Sequence, residues 1–232
     1  MHLFGRGADT TPGTRSAVLF DFGGVLTTSV HAAFEQLGTE LGCDPRLPLR
    51  LLARDKVSGA LLVAHEEGRI GELEFEQGFA ERLRAHGVAI DPAEPGIVRR
   101  IQRALEPDHA MIDLVARVRE AGYRVGLLSN SLGDDCYAGF DLPVMFDAVT
   151  ISGEVGVRKP SRRAYEIACE RLGVRPEDAV MVDDLEQNIT AAERAGLAGI
   201  VHTDASATAT ALTSVLGPRA RRPGPGARGA ME

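Results

Sequence analysis

Residues 18–26 read VLFDFGGVL. Three apolar residues run into Asp21 and then into a glycine pair, as expected of a buried strand that carries a carboxylate at its end. The same pattern recurs along the chain. AVLFD (17–21), RVGLLSN (124–130), DAVTIS (147–152), AVMVDD (179–184) and GIVHT (199–203) are short, apolar and bounded by turn residues. Runs of this kind suit parallel strands covered on both faces. Between them lie helical periodicities: Met111, Leu114, Val115 and Val118 before Gly122, and Tyr165, Ala168, Cys169 and Leu172 before Gly173. Strands alternating with helices predict an α/β fold, a doubly wound Rossmann-like parallel sheet.

One stretch breaks the alternation. From about Ser29 to Asp108 the periodicity is helical only: Phe34, Leu37 and Leu41; then a stripe through Leu49, Leu52, Ala53, Val57 and Ala60; then Phe75, Phe79 and Leu83. This predicts an inserted α-helical subdomain over residues 29–108, with the α/β core formed by 15–28 and 109–216. Open α/β sheets bind ligands at the carboxyl ends of their strands, and the insertion leaves from one such end, so it is placed to form a lid. Residues 1–14 are rich in Gly and Thr. Residues 217–232, GPRARRPGPGARGAME, combine Pro, Gly and Arg. Both ends have too little apolar surface to fold and are expected to be disordered.

Composition narrows the function. A net charge of −7 over 232 residues argues against a general nucleic-acid surface. Cys43, Cys136 and Cys169 show neither CxxC nor His/Cys spacing, which argues against zinc and against a disulfide framework. No apolar run approaches the ~20 residues of a membrane span, and the N-terminal stretch lacks the apolar segment of a signal peptide. These features predict a cytoplasmic monomer or homodimer without a membrane or nucleic-acid partner.

The strand ends carry the chemistry. Asp21 closes the first, Ser129 and Asn130 the second, Asp183 and Asp184 the fourth, and Lys159 lies in the segment GVRKPSRRAYE. Three carboxylates, an ammonium and a hydroxyl on one sheet edge suit a metal plus an anion. Hard oxygen ligands favour Mg²⁺, and a carboxylate can attack phosphorus to form an aspartyl phosphate. Ser129, Asn130 and Lys159 are candidates to hold phosphate oxygens, with a smaller contribution from Ser161 and the helix N-terminus that follows it. Asn188, four residues after Asp184, is placed to orient the acidic loop.

DFGGVL, LLSNS, GVRKPSRRAYE and VMVDDLEQNITAAERAG resemble, in order, the four motifs of the haloacid dehalogenase (HAD) superfamily, and the resemblance covers roughly residues 16–204. It implies that Asp21 is the nucleophile, Ser129 the phosphate binder of the second motif, Lys159 the lysine of the third, and Asp183 and Asp184 the acidic pair of the fourth. It also implies a Mg²⁺ site that includes the backbone carbonyl of Gly23. The insertion is similar to the helical cap of the first HAD subclass. Its segment EEGRIGELEFEQGFAERL resembles caps of phosphatases related to the N-terminal domain of soluble epoxide hydrolase. The implied activity is hydrolysis of a small phosphorylated metabolite.

At one position the chain departs from the pattern. HAD phosphatases usually carry a second Asp two residues after the nucleophile, as proton donor to the leaving group; here that position is Gly23. Losing a general acid costs ~10²–10⁴-fold in rate. Two alternatives follow: a C–P or C–halogen hydrolase, or a phospho-ligand binder with weak or no turnover. Phosphonate hydrolases of the superfamily use a cap lysine, for which Lys56 is the candidate. Against that, the Lys56 stem can pack on its helix while its ammonium reaches water. Dehalogenases lack the acidic pair that is present here, and a pure binder needs no nucleophile. Arg162 and Arg163 read as solvated helix residues, and the histidines show no paired spacing.

Overall fold

The computed structural model describes residues 15–216 except Pro92 and Glu94. The expected disordered ends, 1–14 and 217–232, lie outside the described residues. Strands β1 (Ala17–Phe20), β2 (Arg124–Ser129), β3 (Ala148–Ile151), β4 (Ala179–Asp183) and β5 (Ala198–Val201) form a parallel sheet in the order β3-β2-β1-β4-β5. All five predicted strands are present. The strand order reverses between β1 and β4, which opens a crevice at their carboxyl ends.

After β1 the chain makes five helices: α1 (Val30–Glu40), α2 (Leu47–Arg54), α3 (Lys56–Glu66), α4 (Glu72–Ala85) and α5 (Ile97–Arg103). They pack around their own apolar cluster, which includes Phe34, Leu37, Phe75, Phe79, Leu83 and Ile101. The chain leaves the sheet and returns to it side by side: Thr28 N–H donates to Glu106 O at 2.8 Å, and Asp108 N–H donates to Leu26 O at 2.8 Å. This paired crossing anchors the helical layer next to the end of β1.

The remaining helices sandwich the sheet. They are α6 (His109–Glu120), the short α7 (Leu142–Met145) and α8 (Ser152–Val155), α9 (Arg162–Leu172), α10 (Glu186–Arg194) and α11 (Ala205–Val215). Strand pleating sends Val18 and Phe20 to one face, against Met111, Val115 and Leu212, and sends Ala17 and Leu19 to the other, against Tyr165, Ala168 and Ile189.

The predicted single stripe from Leu49 to Ala60 is two helices. Asp55 has ψ 118, outside the helical range, and ends α2 while capping α3. Its carboxylate accepts the Ser58 N–H at 3.0 Å, the Ser58 hydroxyl at 2.8 Å and both arms of Arg82 at 3.0 Å. A side chain that captures the first amides of the next turn competes with continued helix. The break rotates Val57 outward to 51% exposure and leaves Lys56 exposed.

Phe79→Ala should cost about 3–5 kcal/mol of stability, because the ring is fully buried in the helical layer. Val57→Ala should stay within about 0.5 kcal/mol. Urea unfolding curves of both variants, with m-values compared, check the pair.

Candidate active site

A cavity of about 590 Å³ lies between the carboxyl edge of the sheet and the helical layer, with Asp21, Ser129, Asn130, Lys159, Asp184 and Asn188 on the sheet side. At its floor Lys159 is 1% exposed. Its Nζ lies 2.7 Å from Asp21 Oδ1 and 2.6 Å from Asp183 Oδ2. The register Phe20↔Val182 explains the geometry, because the next residues on these paired parallel strands are Asp21 and Asp183. Asp21 also accepts the Phe22 N–H at 2.7 Å.

Each remaining site residue has a defined place. Asp183 is fully buried, and both its oxygens are engaged: by Lys159 at 2.6 Å, by the Leu185 N–H at 2.9 Å, and by Asn188 Nδ2 at 3.0 and 3.1 Å. Asn188 thus orients the acidic loop, and its own carbonyl accepts the Tyr165 hydroxyl at 2.8 Å. Asp184 is half-buried and lines the cavity. The Ser129 hydroxyl, also on the lining, accepts from the Tyr137 hydroxyl at 2.9 Å. The Asn130 carboxamide is spent on Lys159: Nδ2 donates to Lys159 O at 3.1 Å, and Oδ1 accepts Lys159 N–H at 2.9 Å. Its side chain therefore positions the lysine backbone.

Asp21, Asp183 and Asp184 each offer an oxygen, and these atoms lie within 4.8 Å of one another. Asp183 is spent on hydrogen bonds, but Asp21 and Asp184 leave two hard, anionic oxygen donors in this cluster, the one or two carboxylates with which Mg²⁺ is usually held.

A family model described as a haloacid dehalogenase-like hydrolase matches residues 16–196. The chain belongs to that family. Among curated relatives, a sesquiterpene phosphatase of Aspergillus oryzae is 24% identical over 212 residues, covering 88% of this chain and 98% of that protein. A phosphoserine phosphatase of Thermus thermophilus is 31% identical over 154 residues, covering 65% of this chain and 61% of that protein. A wild-type HAD-family enzyme of Bacteroides thetaiotaomicron, solved with magnesium and inorganic phosphate, superposes with TM-score 0.59 at 23% identity, covering 82% of this chain and 94% of that one. This last likeness shows the fold.

In this HAD-like hydrolase the glycines after Asp21 differ in what constrains them. Gly24 has φ +78, and a Cβ there would run into the Asp184 carboxylate, so the turn requires glycine. At Gly23 a Cβ would lie 2.6 Å from Val30 Cγ2. The first turn of α1 fills the space a side chain at 23 would enter.

Residues that pattern reading passed over join the helical layer to the core. Glu66, buried at the end of α3, lines the cavity and pairs with Arg158 Nε. Its backbone carbonyl accepts the Ser152 hydroxyl, and His65 Nε2 accepts the Gly133 N–H at 3.0 Å. Glu72 accepts the Asp134 N–H at 2.9 Å. The only local signal was a Glu-Glu-Gly at a helix end, which does not reveal a partner so distant in the chain. Lys56, Ser161, Arg162 and Arg163 do not line the cavity, and the two arginines pair with Glu166 and Glu170.

Charge in the site is unbalanced. Burial pushes the Asp21 carboxyl up to about 7, with Asp183 adding to the shift and Lys159 opposing it. Burial and then Asp183 also raise Asp184. Burial disfavours the Lys159 ammonium, yet Asp21 and Asp183 together hold it above its ordinary value. A carboxyl whose folded pKa exceeds its unfolded one contributes stability that is complete below the unfolded value and lost as pH rises through the folded one. The metal-free protein should therefore lose stability between about pH 4 and 7, the interval between the ordinary Asp21 value and its raised one. Burial raises Glu66 to about 7 over the same interval, so Asp21→Asn should reduce that slope without removing it. Denaturant midpoints in EDTA across this range, for both proteins, measure it.

Proposed function

We propose that this hydrolase is a Mg²⁺-dependent phosphomonoesterase acting on a small phosphorylated substrate through an aspartyl phosphate on Asp21. The observation that carries the reading is Lys159, held between Asp21 and Asp183 at the floor of a cavity that Asp184 and Ser129 also line. The phosphatase names of the Aspergillus and Thermus relatives support it. Residues 29–108 act as a cap over a core formed by 15–28 and 109–216.

The Asp21 carboxylate attacks phosphorus, and the P–O bond breaks as the new one forms, the departing alkoxide taking its proton from solvent. Water then cleaves the aspartyl phosphate, releasing inorganic phosphate and restoring the carboxylate. Lys159 and the Ser129 hydroxyl hold phosphoryl oxygens, one as a point charge and the other as a donor. Asp21, Asp184 and the Gly23 carbonyl hold the Mg²⁺, which when bound screens the repulsion between nucleophile and phosphate and stabilises the transferring oxygens. Asp183 belongs to the same cluster. With its hydrogen-bonding capacity used by Lys159, Asn188 and Leu185, it serves chiefly to orient the lysine. Gly23 supplies no proton to the departing alcohol, so good leaving groups are favoured.

Phosphonate chemistry needs a neutral amine in the cavity. Lys56 is exposed and outside it, and Lys159 is locked as an ammonium by two carboxylates. A phospho-ligand binder is the second reading, and Val30 beside Gly23 favours it by closing the usual place of the proton donor.

Phosphate release from p-nitrophenyl phosphate, whose leaving group needs little protonation, tests the choice. Release should require Mg²⁺, stop with EDTA, and fall by at least about 10³-fold in Asp21→Asn. Full activity in Asp21→Asn removes the nucleophile assignment, and no release from folded wild type leaves the binder. Gly23→Asp combined with Val30→Ala should accelerate alkyl phosphates by up to ~10²–10⁴-fold and p-nitrophenyl phosphate much less. Gly23→Asp alone should gain less, because Val30 obstructs the new side chain. Equal gains on good and poor leaving groups would refute the missing-acid account.

A further inference from the structure

The sheet side of the cavity holds the charge; the opposite wall is apolar. Phe34, Leu49, Leu52, Leu62, Val63 and Leu105 line it. Leu49, Leu52, Leu62 and Leu105 are only half-buried at the edge of the helical layer's cluster. They keep apolar surface open to the cavity, and such surface marks a binding site.

That wall offers few polar groups, and most of them are engaged or lie on the acidic side. Helices α1–α5 give the cavity two titratable side chains, His31 and Glu66. Glu66 is paired with Arg158, and the charge of His31, at the start of α1, acts on Asp184, where it only partly opposes the upward shift of that carboxyl. The Gln102 amide donates to Leu132 O at 3.3 Å. An ester bearing an ammonium, a carboxylate or several hydroxyls would bury most of them there with too few partners, at a cost of the kind that lets a pocket reject a polar analogue.

We infer that this site takes phosphomonoesters of apolar alcohols, with an aliphatic or aromatic group lying against the leucine wall and the phosphate on the Asp21–Lys159 floor. The inference rests on the phosphatase reading for its ester and on the wall itself for its apolar part.

Non-hydrolysable phosphonates separate the two. Calorimetric titration of the full chain with methyl-, butyl- and octylphosphonate in Mg²⁺, beside O-phosphoserine, reads affinity whether or not turnover occurs. Each added methylene should tighten binding by about fourfold until the wall is covered, and the heat-capacity change should grow more negative along the series. O-phosphoserine should bind no better than methylphosphonate. Leu52→Gln, with its fold checked by thermal melting, should reduce the octyl-to-methyl affinity ratio by about tenfold.

A flat affinity series, or tighter binding of O-phosphoserine than of octylphosphonate, overturns the inference and leaves the phosphatase reading standing if p-nitrophenyl phosphate is hydrolysed. Chain-length-dependent binding without any hydrolysis supports the apolar class and removes the enzyme.

Discussion

A buried ammonium has to be paired, and Lys159 is paired twice, with Asp21 and with Asp183. Leaving any of the three without its partners would strand a charge in a site that water barely reaches. Much of the core geometry serves this arrangement. Adjacent parallel strands β1 and β4 bring the two carboxylates together, and the Asn130 carboxamide at the end of β2 grips the Lys159 backbone from both sides. Asn188 holds Asp183 from α10, and Tyr165 holds Asn188 from α9. Strand order, loop and helices thus converge on one cation.

The pairing still leaves the site short of positive charge. Three carboxylates surround one ammonium, and burial pushes Asp21 and Asp184 toward their protonated forms. Adjacent residues at a strand end point in opposite directions, and this divides the two aspartates of β4 and its following turn. Asp183 turns inward and is consumed by hydrogen bonds; Asp184 turns to the cavity. Lys159 is already committed to Asp21 and Asp183, so a divalent cation, as proposed, would be the counter-charge for Asp184. On the proposed reading the surplus would draw in a hard metal first, and that cation together with Lys159 would then offset the charge of a phosphate dianion.

The core was legible because parallel strands buried on both faces are written as apolar runs, and their chemistry sits at the residue where each run stops. Asp21, Ser129 and the Asp183–Asp184 pair are all such residues. Asn130 was legible as part of the site but not in its role, since nothing local shows that its amide faces the backbone of residue 159. The helical layer was legible as helix but not in its joints. Apolar spacing continues through Leu49, Leu52, Ala53 and Val57 as though one helix ran on, whereas Asp55 breaks it through hydrogen bonds to Ser58 and Arg82. The Glu66–Arg158 pair lay beyond any periodicity, because its partners meet only after the layer has folded back onto the loop between α8 and α9.

Gly23 and Val30 extend the argument from what the site contains to what it excludes. A glycine where a proton donor usually stands would by itself leave a small polar gap, which a water could enter to do the donor's work. Here the gap is closed by a β-branched side chain with little rotamer freedom. Val30 also lines the cavity, so it carries the apolar wall of the helical layer down to the reacting carboxylate. One substitution pattern therefore has two consequences. In the proposed reaction it would deprive the departing oxygen of a protein acid and present an apolar surface to the first carbons of the alcohol. On the proposed phosphatase reading, polar alcohols would lose on both counts, meeting few partners on the wall and no acid at the bond. On the same reading an apolar ester would lose only the acid, and the contact that removes the acid is one from which its carbon chain would gain.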